Sequence, residues 1–186
     1  MSTKEILISA ADDLIRSKGY NAFSFKDLSV QVGIKTASIH YYFPTKTDLG
    51  VAIVQEHLRR FVVFEKNVAT LNSLQKIECF LEIYQDIKNE HKICIVGSLA
   101  TDFYTVEEPI KQELKIFTDT VLLWLTHVLE HGRDMGEIYL KTNPRTQALL
   151  LITNVLAVVQ LSRLTSDEDF RIVKEAILDE LKINKS

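Results

Sequence analysis

Apolar residues recur every three or four positions over most of this chain, which is the spacing of one face of an α-helix. No stretch alternates apolar and polar residues as a strand does, and each of the three prolines fits a helix boundary. The pattern therefore predicts an all-α protein of about nine helices. Apart from two short helices between residues 24 and 43, the predicted helices cover 4–18, 46–69, 73–89, 93–104, 108–133, 144–164 and 167–183.

The first three helices are predicted from their capping residues as well as from their apolar faces. Ser2 and Glu5 fit a capping box, and Gly19 fits a left-handed C-terminal cap. Ser24 can cap the second helix, which Gly33 ends. The small core that these helices share is expected to contain Ile6, Leu7, Ala10, Ala11, Leu14, Ile15, Phe25, Leu28, Val32, Ile34, Ile39 and Phe43.

The third helix carries side chains that suit a DNA groove. With Ile34 and Ile39 facing inward, it turns hydroxyl, imidazole and phenol groups outward, where they can contact base edges and phosphates. The second and third helices thus form a helix-turn-helix, which places its second helix in the major groove. The predicted DNA contacts are Ser24, Lys26, Lys35, Thr36, Ala37, Ser38, His40, Tyr41, Tyr42 and Lys46.

The start of the fourth helix is expected to face a DNA phosphate. Pro44 ends the third helix, and Thr45 with Asp48 fits another capping box. The N-terminal amides of a helix favour an anion, and Lys46 adds a positive charge in that first turn. We therefore expect Lys46 to bind the DNA backbone.

The segment from Gly33 to Leu49 resembles the recognition-helix signature of the TetR family of bacterial repressors. It reads Gly-Ile-Lys-Thr-Ala-Ser-Ile-His-Tyr-Tyr-Phe-Pro-Thr-Lys-Thr-Asp-Leu. His40 stands where tyrosine is common in the family, and Tyr41 where histidine is common. Phe25 stands where many members have a phosphate-binding threonine, so the hydroxyl that makes this contact in those members is missing here.

The resemblance covers residues 4–53 and implies a two-domain regulator. Residues 1–47 are expected to form the helix-turn-helix DNA-binding domain. Residues 48–186 are expected to form a helical domain for effector binding and dimerisation. The resemblance implies a transcriptional repressor that a small molecule releases from its double-stranded DNA operator.

The charge distribution favours specific DNA binding over nonspecific coating. The 186 residues carry a net charge of −3, and the first fifty hold six basic and five acidic residues. Six minus five gives the first fifty residues a net charge of only +1. So small a positive charge favours a few well-placed DNA contacts and a pair of DNA-binding domains.

The two cysteines form no CxxC motif, and no signal peptide or uninterrupted membrane span is evident. We expect a cytoplasmic protein without cofactor, metal or membrane partner.

The predicted helix 144–164 is apolar nearly all round, so it must be buried on every side. The last helix, 167–183, adds an apolar stripe. Two such helices from each protomer would form a four-helix interface of a homodimer. The alternative is a central core helix of a monomer.

Aromatic residues of the second domain suggest an effector pocket, because apolar cavities with a few polar groups hold small ligands. Asn154 is singled out since a buried amide needs a partner, either an effector or its symmetry mate. Ordinary core packing is the alternative for each aromatic residue. The candidates are Phe61, Phe64, Tyr84, Phe103, Phe117, Trp124, His127 and Asn154.

Cys94 is a candidate redox or electrophile sensor. Its surroundings resemble a TetR subgroup that often has Gly-Cys-Leu here, although Ile93 replaces the glycine and Asp102 a glutamate. A sensing thiol needs access and a depressed pKa. The apolar neighbours suggest burial instead, so a structural role remains the alternative.

Two other classes of function compete with a regulator. No nucleophile motif, phosphate loop or metal-binding spacing predicts an enzyme. His127 and His131 are four residues apart, but a solvated helix face explains that spacing. A helical scaffold or small-ligand-binding protein without DNA binding is the remaining alternative.

Overall fold

The computed structural model describes residues 1–183, and this part of the chain is all-helical. It contains nine α-helices and one 3-10 turn, Tyr20–Ala22. The helices are α1 Thr3–Lys18, α2 Phe25–Val32, α3 Thr36–Tyr42, α4 Lys46–Asn67, α5 Ser73–Asn89, α6 Ile95–Thr101, α7 Glu108–Asp134, α8 Pro144–Leu161 and α9 Asp167–Leu181. The predicted fold class is confirmed, and the 3-10 turn was not predicted.

Most helix boundaries follow from the capping residues read in the sequence. The box of Ser2 with Glu5 is present, and Ser24 caps α2 together with Asp27. Gly33 is left-handed, with φ 76°, a conformation that glycine adopts without steric cost. Gly19 departs from its prediction, because its φ of 100° and ψ of 155° lie outside the left-handed helical region.

The chain divides into two compact units, and the first joins residues 1–61 with residues 92–118. Its core contains the predicted residues Leu7, Leu28 and Ile39, each with none of its surface exposed. Residues of α6 and the start of α7 belong to the same core. The helix-turn-helix is therefore supported by later parts of the chain as well as by α1.

The second unit comprises residues 62–91 and the chain from 119 onward. Here α5, α8 and α9 pack together, and Val158 and Phe170 are among the buried residues at their centre. The end of α7 and the segment that follows it lie against the start of α5. Glu137 accepts a hydrogen bond of 2.7 Å from the Ser73 backbone N–H, and an added Cβ at Gly132 would lie 2.6 Å from the Cβ of Ser73.

Candidate nucleic-acid interface and regulatory residues

The helix-turn-helix presents α3 on a buried apolar base. Ile39 is fully buried and Phe43 is 3% exposed, so one side of α3 is anchored in the core. The Phe43 backbone N–H donates to the Ile39 carbonyl at 2.9 Å and closes the last turn. The opposite side of α3 is left for solvent or for a ligand.

The residues on that opposite side are mostly exposed, as the sequence predicts. Ala37, Ser38 and His40 are exposed, and Tyr41 is 81% exposed. The Tyr42 ring lies edge-on to the Tyr41 ring, with 5.1 Å between ring centroids. Thr36, at the start of the helix, is half-buried.

His40 has local partners that fix its ring. Its Nδ1 lies 3.0 Å from the Pro44 carbonyl oxygen, and its ring lies 4.9 Å from the half-buried Phe25 ring. Phe25 therefore supports the recognition helix. This packing gives a physical role to the phenylalanine that replaces the threonine common in the TetR family.

The other predicted contacts surround α3. Lys26 and Lys35 are exposed at the starts of α2 and α3. The Ser24 hydroxyl donates to the Asp27 carboxylate at 2.6 Å and accepts from the Asp27 backbone N–H. Ser24 is thus engaged as a helix cap, while the two lysines carry their charge into solvent.

Lys46 is placed differently from its neighbours. Its ammonium donates to the carbonyl oxygens of Tyr20 and Phe23, at 2.5 and 2.6 Å, and it lies 4.4 and 4.3 Å from the centres of their rings. Burial lowers the pKa of Lys46, against the opposing effect of nearby carboxylates. The half-buried ammonium binds the protein's own backbone.

A buried ionic network behind the helix-turn-helix was missed by sequence reasoning. Asp12 accepts from Arg16 Nη1 at 3.2 Å and lies 2.7 Å from His57 Nε2. The Arg16 Nε donates to the Ile93 carbonyl at 3.1 Å. Burial alone would raise the pKa of Asp12, but the bond to His57 and the charges of His57 and Arg16 together lower it. The separation of four residues between Asp12 and Arg16, which places both on one face of α1, was the sequence signal that could have predicted this ion pair.

The aromatic candidates for an effector pocket fall into separate groups. In the second unit Trp124 lies 5.4 Å from Phe64 and 5.8 Å from Phe80, and Phe80 lies 5.4 Å from Tyr84, between ring centroids. In the first unit Phe61 and Phe117 meet at 6.3 Å. The predicted residues therefore form ring clusters within each unit.

Three of the predicted pocket residues are exposed in the protomer. Phe103 is 46% exposed, with its ring 4.9 Å below the Lys111 ammonium. His127 and Asn154 are also exposed. The expectation of a buried Asn154 amide is not met in the protomer because α8 turns this face outward.

The outward face of α8 combines exposed leucines with polar side chains such as Thr153 and Gln160. Leu149, Leu150 and Leu161 are 43%, 46% and 54% exposed, and Asn154 and Ala157 lie among them. Within residues 1–183, α8 is also the one helix whose length and composition would suit a membrane span.

Cys94 is the N-cap of α6, and its sulfur accepts from the Gly97 backbone N–H at 3.2 Å. The residue is 9% exposed. Burial raises the pKa of the thiol, and the hydrogen bonds to the sulfur only partly offset it. This environment favours the neutral thiol.

An exposed recognition helix on a buried base, followed by a helical domain, defines a helix-turn-helix regulator. Residues 7–53 match the model of bacterial regulatory proteins of the TetR family. Residues 73–173 match the C-terminal domain of tetracycline-repressor-like proteins. The chain belongs to the TetR family of transcriptional regulators, whose members bind operator DNA as dimers and respond to small molecules.

Solved and curated relatives agree with this assignment. The chain is 34% identical to a TetR transcriptional regulator from Legionella pneumophila, with 98% of each chain covered and a TM-score of 0.88. It is 23% identical over 135 residues to the fatty acid metabolism regulator protein of Bacillus subtilis, covering 71% of this chain and 69% of that protein. A Lactococcus lactis helix-turn-helix regulator is 22% identical, and the match spans 64% of its length and 63% of this chain.

Proposed function

We propose that this chain is a dimeric repressor that binds a specific operator through α3. The observation that carries the proposal is the exposed surface of Ala37, Ser38, His40 and Tyr41 over the buried Ile39. Lys26 and Lys35 supply phosphate contacts beside that surface. In this proposal residues 1–47 read the DNA and residues 48–186 carry regulation and pairing.

We propose that the dimer forms through α8 with help from α9. The exposed leucines of α8, Leu149, Leu150 and Leu161, support this, because exposed apolar side chains grouped on one helix mark an interaction surface. Ile172 is 52% exposed and adds an exposed apolar side chain on α9, which packs against α8. Asn154 would then meet its symmetry mate. The pairing presents two recognition helices to two half-sites about 34 Å or a multiple of it apart.

The effector is proposed to be a small apolar molecule that contacts the rings of Phe64, Phe80, Tyr84 and Trp124. Such a ligand would release the operator by favouring a dimer in which the distance between the two recognition helices no longer matches that between successive major grooves. It can act only through a difference in affinity between the two states. Cys94 is proposed to be structural because its buried neutral thiol is a poor nucleophile. A cytoplasmic location follows from this proposed role in transcription.

Effector binding can be measured with the protein's own fluorophore. Trp124 is the single tryptophan of the chain, so its emission reports on the proposed site. Apolar carboxylic acids, acyl thioesters and aromatic compounds would be titrated while operator binding is followed in parallel. A compound that changes Trp124 emission and weakens operator binding supports the proposal. Operator release without an emission change would place the effector elsewhere.

The DNA-binding proposal is tested by selecting bound sequences from a random pool of duplex DNA. We expect an inverted repeat with half-sites spaced by whole helical turns. The paired substitution Thr36→Ala and Tyr41→Ala should weaken binding to that repeat, by about 1–3 kcal/mol for each base interaction that it removes. Tyr104→Ala is the matched control because Tyr104 is 95% exposed and lies outside the helix-turn-helix. Failure to enrich any sequence would contradict the proposal.

A further inference from the structure

The ammonium of Lys46 is surrounded by groups of the protein itself. Two of its hydrogen bonds go to the carbonyls of Tyr20 and Phe23, and both rings of these residues flank it. An ammonium has three donors in all. Most of its hydrogen-bonding capacity is therefore used within the protein.

These contacts join two separate parts of the DNA-binding region. Residues 20–23, which we call the α1–α2 turn, connect the supporting helix α1 to α2. Lys46 is the first residue of α4 and follows α3 by a short segment. The Lys46 contacts therefore close a loop of chain that contains both helices of the helix-turn-helix.

The electrostatic surroundings also weaken Lys46 as a phosphate ligand. Its charge interacts favourably with the carboxylates of Glu107, Asp102 and Asp27. Nearby negative charges reduce the field that a cation projects toward solvent. Lys26 and Lys35 are exposed by comparison.

The α1–α2 turn is held from a second direction by two of those acidic residues. The Tyr20 backbone N–H donates to Asp102 at 3.0 Å, and the Tyr20 hydroxyl donates to Glu107 at 3.0 Å. The Asn21 side-chain amide donates to the Thr105 hydroxyl at 2.6 Å. The turn is thus fixed to the connection between α6 and α7, and Lys46 fixes the same turn to α4.

We propose that Lys46 is a positioning residue for DNA recognition and makes no phosphate contact. It holds the α1–α2 turn on the start of α4 and thereby sets the orientation of α3. This inference rests on the proposed function of α3 as the DNA-reading helix. It reverses the expectation from sequence that Lys46 binds the DNA backbone.

The salt dependence of operator binding separates the two roles. Each phosphate contact contributes about 0.9 to the slope of log affinity against log salt concentration. Lys46→Met removes the two charge-assisted hydrogen bonds that hold the α1–α2 turn, so α3 is no longer held in its binding orientation. Operator binding should therefore weaken about tenfold or more, while the salt slope stays that of the unsubstituted protein. Lys26→Met and Lys35→Met are the matched controls, because the loss of a phosphate contact in either variant reduces the magnitude of the slope. A slope lowered by Lys46→Met would overturn the proposal.

A conservative variant checks that positioning is what matters. Lys46→Arg keeps a cation that can donate to both carbonyls, so it should recover more of the operator affinity than Lys46→Met does. The ratio of operator to random-sequence affinity should fall in Lys46→Met, since random-sequence binding depends on phosphate contacts alone. An unchanged ratio would contradict the positioning role.

Hydrogen exchange without DNA tests whether Lys46 holds the α1–α2 turn, independently of the proposed function. In Lys46→Met the backbone amides of residues 20–28 should exchange faster than in the unsubstituted protein, while Lys35→Met leaves them unchanged. Unchanged exchange in Lys46→Met would overturn the proposal even if DNA binding fell. If the unsubstituted protein bound no DNA, the function proposed for α3 would fail, and exchange would still decide whether Lys46 holds the turn.

Discussion

At the scale of single residues, Asp12 is the most consequential buried charge. It is 5% exposed and is compensated by Arg16 and His57. Removing one partner of a buried pair leaves the other unsatisfied, so Asp12→Asn should lower the free energy of unfolding by about 3 kcal/mol. Asp13→Asn is the adjacent control, because its partner Lys92 forms a partly exposed ion pair, which contributes at most about 1 kcal/mol. Urea denaturation at neutral pH measures both.

The pH dependence of stability in the unsubstituted protein and Asp12→Asn gives a second prediction. The pKa of Asp12 is lowered in the folded state, so its stabilisation is present above the unfolded-state pKa of about 4. That stabilisation is lost as the pH falls through the lower, folded-state pKa. The stability difference between the two proteins should therefore shrink below about pH 4. A difference that stays constant into strong acid would contradict the lowered pKa.

Single residues also show where sequence reasoning stops. The caps at Ser2 and Ser24 were predictable because their hydrogen bonds are local. Lys46 and Asn154 were not, because their partners depend on distant parts of the chain. The apolar neighbours of Asn154 predict a helix that must be covered, but they do not reveal whether its own chain or a second copy covers it.

At the scale of elements, the close approach of α5 and α7 depends on Gly132. A Cβ at this position would lie 2.6 Å from the Cβ of Ser73, which is fixed to its backbone. Gly132→Ala should therefore lower the free energy of unfolding by about 2 kcal/mol through overpacking. Adding Ser73→Gly removes the two closest obstructing atoms, the Cβ and Oγ of Ser73, and should restore part of that stability. Thermal unfolding of the two variants checks this, and a fully tolerated alanine would contradict the packing.

The boundaries of the elements were predicted well where the sequence carries turn chemistry. The range 73–89 was predicted for α5, and the helix is Ser73–Asn89, since Asn72 caps it. The segment 93–104 was predicted as a single helix, whereas α6 is limited to Ile95–Thr101. The residues after Thr101 leave the helix and bind the α1–α2 turn, and that long-range contact has no signal in local periodicity.

At the scale of the whole molecule, the outward face of α8 determines the expected oligomeric state. Leu150 is 46% exposed in the protomer, so Leu150→Glu would place a charge in the proposed interface. We expect this variant to sediment as a folded monomer, whereas the unsubstituted protein sediments as a dimer. Met135→Glu is the control, since Met135 is 65% exposed and lies outside α8. A dimeric Leu150→Glu protein would contradict the assigned interface.

The interface proposed for α8 has a consequence for genetics. Because α8 is far along the chain from α3, a copy with a damaged recognition helix would still associate with an intact copy in the proposed dimer. Such mixed dimers would contain only one functional DNA-binding domain. Alleles altered at Ser38 or Tyr41 should therefore be dominant over the normal allele in a merodiploid cell, and an added Leu150→Glu change should make them recessive.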